Sequence, residues 1–160
     1  MIDIRFAQET DAPQILEFIK SLARYEKLEH EVIATEDGLK TTLFGPRPYA
    51  EVLIAELDQE AAGFALFFHN YSTFLGKPGL YLEDLYVKPK YRGYGLGLAL
   101  FKRLAQIALD RECGRMEWWV LDWNEPAIGF YESLGAKAMD DWTVYRLSEE
   151  PLKTLAHRPL

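Results

Sequence analysis

The sequence predicts an α/β fold in which helices flank a mixed, mostly antiparallel sheet. Three successive strands are predicted between residues 50 and 87, and this order predicts antiparallel hairpins. A short turn separates the first two strands, and a loop over 70–79 separates the last two. Further along the chain, strands alternate with helices, and such steps need crossover connections. Two segments carry apolar residues at helical spacing and predict helices that bury one face. The predicted element order is β-α-α-β-β-β-α-β-α-β.

The first part of the chain supplies the opening β-α-α elements. Alternating apolar residues at positions 2–6 predict the first strand. Thr10 and Pro13 are typical of a helix start, and the apolar residues that follow recur at helical spacing as far as Ala23. A shorter helix is predicted over 35–43, and the glycine and prolines at 45–48 end it.

The rest of the chain supplies the remaining strands and helices, each predicted from its apolar period and its flanking turns. Strands are predicted over 50–57, 61–69, 80–87, 116–121 and 142–147. Helices are predicted over 96–113 and 126–134, and residues 149–156 are expected to form a terminal helix or a tail.

Length and charge limit the classes of function. The 160 residues suit a single domain spanning 1–160, and a hydrophobic content of 49% is enough for a packed core. Asp and Glu outnumber Lys and Arg by 25 to 18, which gives a net charge of −7. Because a protein that binds nucleic acid normally carries a basic excess, we expect no nucleic-acid partner. The acidic balance favours the binding of cations.

The cysteine and histidine content and the apolar runs bear on compartment, membrane and metal. A single cysteine, Cys113, excludes an intramolecular disulfide and is typical of a reducing compartment such as the cytoplasm. We recognise no signal-peptide pattern and no apolar run of membrane-spanning length, so no membrane partner is expected. The three histidines are far apart and have no partner at zinc spacing, so no metal is expected.

A glycine-rich turn at residues 92–97 is the most informative segment. It follows the strand over 80–87 and a basic loop, and its glycines at 93, 95 and 97 open a helix in an Arg-x-x-Gly-x-Gly pattern. Free N–H groups and the dipole at a helix N-terminus favour an anion, and glycine allows close backbone approach. The third glycine of a dinucleotide-binding fingerprint and the Gly-Lys-Ser/Thr of a P-loop are both absent. The turn therefore predicts a pyrophosphate site of another kind.

The turn resembles the motif A loop of the GCN5-related N-acetyltransferase (GNAT) family, which binds the pyrophosphate of acetyl-CoA. Residues 123–136 resemble the motif B of that family, and the element order agrees over nearly the whole chain. The segments at 25–26, 80–87 and 124–126 resemble the diamine (spermidine/spermine) and thialysine N-acetyltransferase branch. The resemblance implies the GNAT fold, acetyl-CoA as co-substrate, and a homodimer whose subunits exchange sheet contacts.

The resemblance also implies which segments bind acetyl-CoA. In the family, the strand over 80–87 separates from the next one at a bulge, and its end pairs with the pantetheine arm. A backbone N–H near Leu85 is implied as the oxyanion donor, and the turn and the start of the second motif complete the site. The implied cofactor-binding residues are Leu85, Tyr86, Val87, Arg92, Gly93, Tyr94, Gly95, Leu96, Gly97, Leu98, Asn124, Glu125, Pro126, Ala127 and Tyr131.

Acetyl transfer from a thioester to an amine needs an acceptor for the proton of the ammonium ion and a donor for the departing thiolate. The resemblance places the general acid at Tyr131, for which a core tyrosine is the alternative. Glu83 is the candidate that binds the amine and accepts its proton through water, because a carboxylate within an apolar strand is costly to bury unless it is used. An exposed acid on an edge strand is the alternative. Strand alternation places on one face Tyr81, Glu83 and Leu85, and on the other Leu82, Asp84 and Tyr86.

The amine pocket is expected to be acidic and aromatic. The implied substrate-binding residues are Tyr25, Glu26, Glu83, Glu117 and Trp119. Carboxylates at a pocket mouth attract a cationic amine, although a solvated helix end is the alternative for Glu26. Trp118 and Trp119 adjoin on a strand, so we expect one of them in the core. Their bulk, and the ambiguous alignment of Asp140 and Asp141 with a family glutamate, leave room for a short amine.

The sequence therefore predicts an acetyl-CoA-dependent N-acetyltransferase that acts on the primary amine of a small di- or polyamine or of a thialysine-like amino acid. Cys113 lies at the far end of the helix from the turn, which favours direct transfer in a ternary complex over an acetyl-cysteine intermediate. The alternatives are an N-acetyltransferase for a peptide lysine or N-terminus, and a CoA-binding sensor domain without catalysis.

Overall fold

A computed structural model describes all residues from 1 to 160. The chain forms two compact units, Met1–Leu121 and Asp122–Leu160. The first contains β1 (Ile2–Phe6), α1 (Ala12–Tyr25), α2 (Glu36–Phe44), β2 (Glu51–Leu57), β3 (Glu60–Ser72), β4 (Lys77–Val87), α3 (Leu96–Asp110) and β5 (Met116–Trp118). The second contains α4 (Glu125–Ser133) and α5 (Glu149–Ala156).

One five-stranded sheet organises the first unit. Its spatial order is β1-β2-β3-β4-β5, with antiparallel pairing between the first four strands and parallel pairing between β4 and β5. The hairpin strands β2, β3 and β4 are neighbours because short turns join them, whereas α3 provides the crossover that parallel pairing requires. The predicted mixed, mostly antiparallel sheet with flanking helices is confirmed.

Helices α1 and α3 cover opposite faces of the sheet. Phe18 of α1 is fully buried and stacks on Phe64 of β3, with ring centroids 5.2 Å apart. On the other side, Phe101 of α3 packs edge-on against Trp118, with centroids 5.0 Å apart. Trp118, Leu82 and Phe67 are paired across three strands and therefore lie on one face of the sheet. Phe64 is three residues from Phe67, so its side chain lies on the opposite face. Burial of each such aromatic side chain stabilises the fold by about 1.5–3 kcal/mol.

A β-bulge interrupts β4 in the middle of its pairing with β3. Leu66 pairs with Asp84 and Phe67 pairs with Leu82, so Glu83 is an extra residue without a partner. The parity of the strand therefore changes at Glu83. As a result, three residues of β4 lie on the face that α1 covers: Tyr81, Asp84 and Tyr86. Their partners on β3 are Phe68, Leu66 and Phe64. The expectation that Asp84 lies on the face opposite Tyr81 is wrong, because simple alternation assumes an uninterrupted ladder.

The C-terminal strands differ from prediction. β5 ends at Trp118 rather than at residue 121, and residues 142–147 form no strand. The apolar side chains of this segment are exposed, with Trp142 at 77% and Tyr145 at 93%. Residue types that favour a strand do not supply the neighbouring backbone with which the strand must pair. Residues 149–156 form the helix α5, which was one of the two expectations for them.

The helices are short or polar by the standard of membrane spans. No helix in the structure is both long enough and apolar enough to cross a bilayer.

Candidate active site

The glycine turn gives α3 an open, backbone-lined start. Gly93 and Gly95 both have φ of +86°, a left-handed conformation that residues other than glycine rarely adopt, and Gly95 is the N-cap of α3. A Cβ atom at Gly97 would meet nothing within 4 Å, so the space above the first helical turn is open. Among the other predicted cofactor residues, Tyr94 and Leu98 are exposed, whereas the Leu96 side chain is buried and only its backbone faces the turn.

Arg92 connects this turn to the ends of α1 and β4. Its Nε donates to the carbonyl oxygen of Val87 at 3.0 Å. Its guanidinium lies 5.5 Å from the ring centroid of Tyr25 and 5.6 Å from that of Tyr86. The structure thus brings together a residue predicted to bind the cofactor and one predicted to bind the amine, a link that sequence spacing alone does not reveal.

The remaining cations of the basic loop have local partners. Lys88 places its Nζ 5.5 Å from the ring centroid of Phe18. Lys90 lies 3.8 Å from a carboxylate oxygen of Glu60 and 4.6 Å from the ring centroid of Tyr91. The Lys90 pair with Glu60 is largely exposed, so it contributes little to stability. These partners leave the backbone of the glycine turn and Arg92 as the main anion-binding features of this edge.

The end of β4 lies at an opening in the sheet. β5 pairs with β4 only over Leu80–Leu82, so the parallel ladder stops before Glu83. The predicted cofactor residues Leu85, Tyr86 and Val87 therefore follow the point where the two strands separate. Leu85 and Val87 are half-buried, and Tyr86 is buried against α1. The splayed strands offer β4 backbone groups to a ligand that pairs with a strand.

Three carboxylates, Glu26, Glu83 and Asp84, form what we call the acidic cluster. Glu26 is the C-cap of α1 and follows Tyr25, the residue whose ring contacts the guanidinium of Arg92. Burial raises the pKa of Asp84 to about 7, and the charges of Glu83 and Glu26 add to this effect. Burial also raises the pKa of Glu26, with Glu83 as a second cause. Because these carboxylates repel one another, the cluster attracts a cation and accepts a proton readily near neutral pH.

Asp84 is the site residue whose placement sequence reasoning missed. The residue types around it gave no signal, because only the register with β3 reveals the bulge that turns Asp84 toward Glu26. Glu83, in contrast, is exposed at the bulge, as the alternative expected, although β4 lies between β3 and β5 and is not an edge strand. Although it is exposed, Glu83 belongs to the acidic cluster, since its charge raises the pKa of both Glu26 and Asp84.

The predicted residues Glu117 and Trp119 lie at the β5 side of the same face. Glu117 pairs with Tyr81 across the strands. Its Oε1 accepts a hydrogen bond from Asn70 Nδ2 at 3.3 Å and lies 3.2 Å from Arg115 Nε, so its charge is already balanced. Trp119 is exposed and meets Tyr81 edge-on, whereas Trp118 packs on Phe101 of α3. Trp118 is thus the more enclosed of the two, but it is half-buried, so neither tryptophan is a fully buried core residue.

The second unit carries the other predicted residues. Asn124 is buried and is the N-cap of α4, with Glu125, Pro126 and Ala127 in the first turn. Tyr131 is half-buried on the same helix, and its ring centroid lies 6.0 Å from that of Phe130. A proline in the first turn suits a helix start, since its missing N–H has no acceptor there. Asp140 and Asp141 are exposed in the segment after α4.

The chain is similar to known proteins in both sequence and fold. Residues 13–136 match the acetyltransferase (GNAT) family. The thialysine N-epsilon-acetyltransferase of Bos taurus is 38% identical over 164 residues, covering 96% of each chain. The L-ornithine N5-acetyltransferase of Arabidopsis thaliana is 34% identical, covering 95% of this chain and 86% of that protein. An integron cassette protein from the V. cholerae mobile metagenome has a similar solved structure, with a TM-score of 0.82, 27% identity and 98% coverage of each chain.

Proposed function

Because the chain belongs to the GNAT family and is an N-acetyltransferase, we propose that it transfers the acetyl group of acetyl-CoA directly to the primary amine of a small di- or polyamine or a thialysine-like amino acid. The observation that carries this proposal is the position of the acidic cluster. It adjoins the glycine turn through Tyr25 and Arg92, so the amine and an anionic co-substrate would be held at neighbouring places.

The binding of acetyl-CoA is assigned to the edge where β4 and β5 separate. The N–H groups of the first turn of α3 would hold the pyrophosphate, with glycine allowing close approach. The β4 backbone from Leu85 to Val87 would pair with the pantetheine arm. Residues 124–127 at the start of α4 complete the set by resemblance to the family motif. Acetyl-CoA supplies the acetyl thioester, and the chain supplies the positions of its charged and polar parts.

The acidic cluster is assigned the removal of the proton from the amine. Glu83 would bind the ammonium ion and accept its proton through a water molecule. Asp84, whose pKa of about 7 lies near neutral pH, would share that proton because the two carboxylates interact. The neutral amine is then free to attack the thioester carbonyl.

The later steps need a hydrogen-bond donor and an acid. A backbone N–H near Leu85 would donate to the oxyanion of the tetrahedral intermediate. Tyr131 would donate its phenolic proton to the departing thiolate, so that the thiol leaves in its neutral form. Cys113 is half-buried beyond the end of α3, distant in sequence from the turn, and the proposed transfer does not pass through it.

A panel of acceptors tests the proposed function. We expect acetyl transfer from acetyl-CoA to at least one small amine among putrescine, cadaverine, spermidine, ornithine, lysine and thialysine, measured as thiol release under saturating co-substrate. A lysine-containing peptide and a peptide with a free N-terminus serve as comparison acceptors. Acetylation of the peptides alone would contradict the small-molecule assignment and favour the peptide alternative.

We also propose that the protein is a homodimer in a reducing compartment such as the cytoplasm. Residues 142–147 combine β-branched and aromatic side chains, which are exposed, with no strand pairing within the chain, and these are the properties of a strand that a second copy could pair. Light scattering coupled to size-exclusion chromatography should give about twice the chain mass of 18.5 kDa. A mass that stays at one chain across micromolar concentrations would contradict the dimer.

A further inference from the structure

An ion pair and a side-chain amide lie together where β5 begins. Arg115 Nε lies 3.2 Å from Glu117 Oε1, and the same oxygen accepts a hydrogen bond from Asn70 Nδ2 at 3.3 Å. The side chains of the ion pair are partly exposed, 48% for Arg115 and 38% for Glu117. Glu117 is the only carboxylate paired with Arg115, so the guanidinium can take a second anion. We call Arg115, Glu117 and Asn70 the polar anchor.

Gly79 of β4 allows the polar anchor to form across three strands. Asn70 of β3 is paired with Gly79, and Glu117 lies on β5, so the Asn70 side chain crosses β4 to reach the carboxylate. A Cβ atom at residue 79 would overlap Asn70 Oδ1, so a side chain there would displace the amide. Glycine at this position therefore keeps Glu117 held from the β3 side while both charges of the ion pair stay accessible.

Tyr81 lies between the polar anchor and the acidic cluster on the same face. It pairs with Glu117 across the strands and comes two residues before Glu83. Burial raises the pKa of Tyr81 to about 12. Carboxylates on both sides add to this effect: Glu83, Glu117 and Asp84. Because Trp119 meets Tyr81 edge-on, with ring centroids 6.0 Å apart, two aromatic rings separate the two groups of charges.

The spacing of the two groups suits one small molecule with charges at both ends. Neighbouring strands are about 4.8 Å apart and two residues along a strand span about 6.7 Å, which puts Glu83 and Glu117 about 8 Å apart along the backbone. Four carbon–carbon bonds and one carbon–nitrogen bond place the ε-ammonium of an extended lysine about 6 Å from its α-carbon. An ammonium group held at Glu83 thus brings the α-carbon to the polar anchor. The methylene chain loses its hydration over Tyr81 and Trp119.

The polar anchor matches the head group of an amino acid in charge. The Arg115 guanidinium can donate two parallel N–H bonds to a carboxylate, and the Glu117 carboxylate can accept from an α-ammonium group. The charges of Arg115 and Glu117 cancel, as do those of the zwitterion, so the head group binds without a change in net charge. A diamine can use Glu117 through its second ammonium group, but it offers no partner to Arg115.

We propose that the polar anchor is a subsite for the carboxylate and the ammonium group of an α-amino acid, which makes amino acids with a primary amine on the side chain the preferred acceptors. Arg115 is the specificity-determining residue, because it recognises the carboxylate that a diamine lacks. This inference rests on the proposed acetyl transfer and names one class among the acceptors proposed there.

Three acceptors with the same chain length test this inference. L-lysine carries both parts of the head group, cadaverine lacks the carboxylate, and 6-aminohexanoate lacks the α-amino group. We expect L-lysine to bind the wild-type protein about tenfold more tightly than either of the others, since each of them loses one charge-assisted contact. Calorimetry measures the three affinities, and kcat/KM for acetyl transfer should follow the same order.

Variants of the ion pair should affect different acceptors. Arg115→Gln should weaken the binding of L-lysine and 6-aminohexanoate about tenfold, mainly through KM in turnover, and should not weaken that of cadaverine. Glu117→Gln should weaken the binding of L-lysine and cadaverine but not that of 6-aminohexanoate. Arg115→Lys keeps the positive charge and should retain part of the affinity for the carboxylate. Arg47→Gln is the control, because it removes an equal charge from an exposed residue between α2 and β2 and should leave all three affinities unchanged.

The outcomes separate this inference from the proposed function. Equal binding of L-lysine and cadaverine to the wild-type protein, or equal losses for both in Arg115→Gln, would overturn the subsite. If amines are acetylated without any dependence on Arg115, the subsite fails and the proposed function stands. If L-lysine binds with the expected dependence on Arg115 but no amine is acetylated, the proposed function fails and the subsite stands.

Discussion

Replacement of Tyr131 by phenylalanine is expected to lower turnover at least tenfold, with little change in the dissociation constant of acetyl-CoA. The substitution removes one oxygen from a half-buried ring and leaves the packing beside Phe130 in place. Without the phenolic proton the sulfur must leave as a thiolate or take its proton from water, and general acids contribute about 10²–10⁴-fold to such steps.

Steady-state kinetics and acetyl-CoA binding by calorimetry measure the two quantities separately. Tyr49→Phe is the control, because it removes the same oxygen from a tyrosine that is 77% exposed and belongs neither to the proposed site nor to the proposed dimer strand. Unchanged turnover in Tyr131→Phe would exclude Tyr131 as the acid. An equal loss in both variants would instead indicate a general effect of losing a tyrosine hydroxyl.

Replacement of Asp84 by asparagine is expected to remove a pH-dependent step from both activity and stability. The folded-state pKa of Asp84, about 7, lies above its unfolded-state value. Between the two values the unfolded chain binds fewer protons, so the free energy of unfolding decreases as pH rises and reaches its full reduction above pH 7. The cost at high pH is on the order of a few kcal/mol. Asp84→Asn should therefore raise the melting temperature at pH 8 and change it little at pH 4.

The activity of the same variant should change in the opposite direction. In the wild-type protein we expect kcat/KM to rise through a step near pH 7, as Asp84 loses its proton and becomes able to accept one from the amine. Asp84→Asn should lack this step and lose at least tenfold in kcat/KM at pH 8. Glu83→Gln is the comparison variant: it removes one of the charges that raise the pKa of Asp84, so any remaining step should move to lower pH. A step that persists unchanged in Asp84→Asn would contradict the assignment.

The fold follows from the sequence wherever local signals determine it. The helix opened by the glycine turn starts at Leu96, as its period predicts, and β2 and β3 form a hairpin around the predicted turn. β3 and β4 extend into the loop that was predicted over 70–79, because their backbones pair as far as Ser72 and Lys77. The strand expected at 142–147 failed for a different reason. A strand needs a second segment to pair with, and the residue types of residues 142–147 do not identify that partner.

The sequence predicts which residues form the candidate site better than it predicts which of them contact one another. Resemblance to the GNAT motifs singled out the glycine turn and Glu83, and the structure places Arg92 of that turn against Tyr25. The position of Asp84 was not predictable, because it depends on which β3 residue faces it. The hydrogen bond from Asn70 to Glu117 was missed because Asn70 lies on a different strand, 47 residues earlier in the chain.

The bulge at Glu83 shows how one extra residue can add a functional group to an otherwise regular strand. Leu82 and Asp84 face Phe67 and Leu66, the partners that a regular ladder without Glu83 would give them. Glu83 is thus an insertion that adds a carboxylate to the edge without displacing any side chain from the core. A regular strand offers a ligand one residue in two, about 6.6–6.8 Å apart, and this strand offers two carboxylates in succession. A single inserted codon can therefore add a proton-accepting group, and its loss would return the strand to a regular ladder with the hydrophobic packing intact.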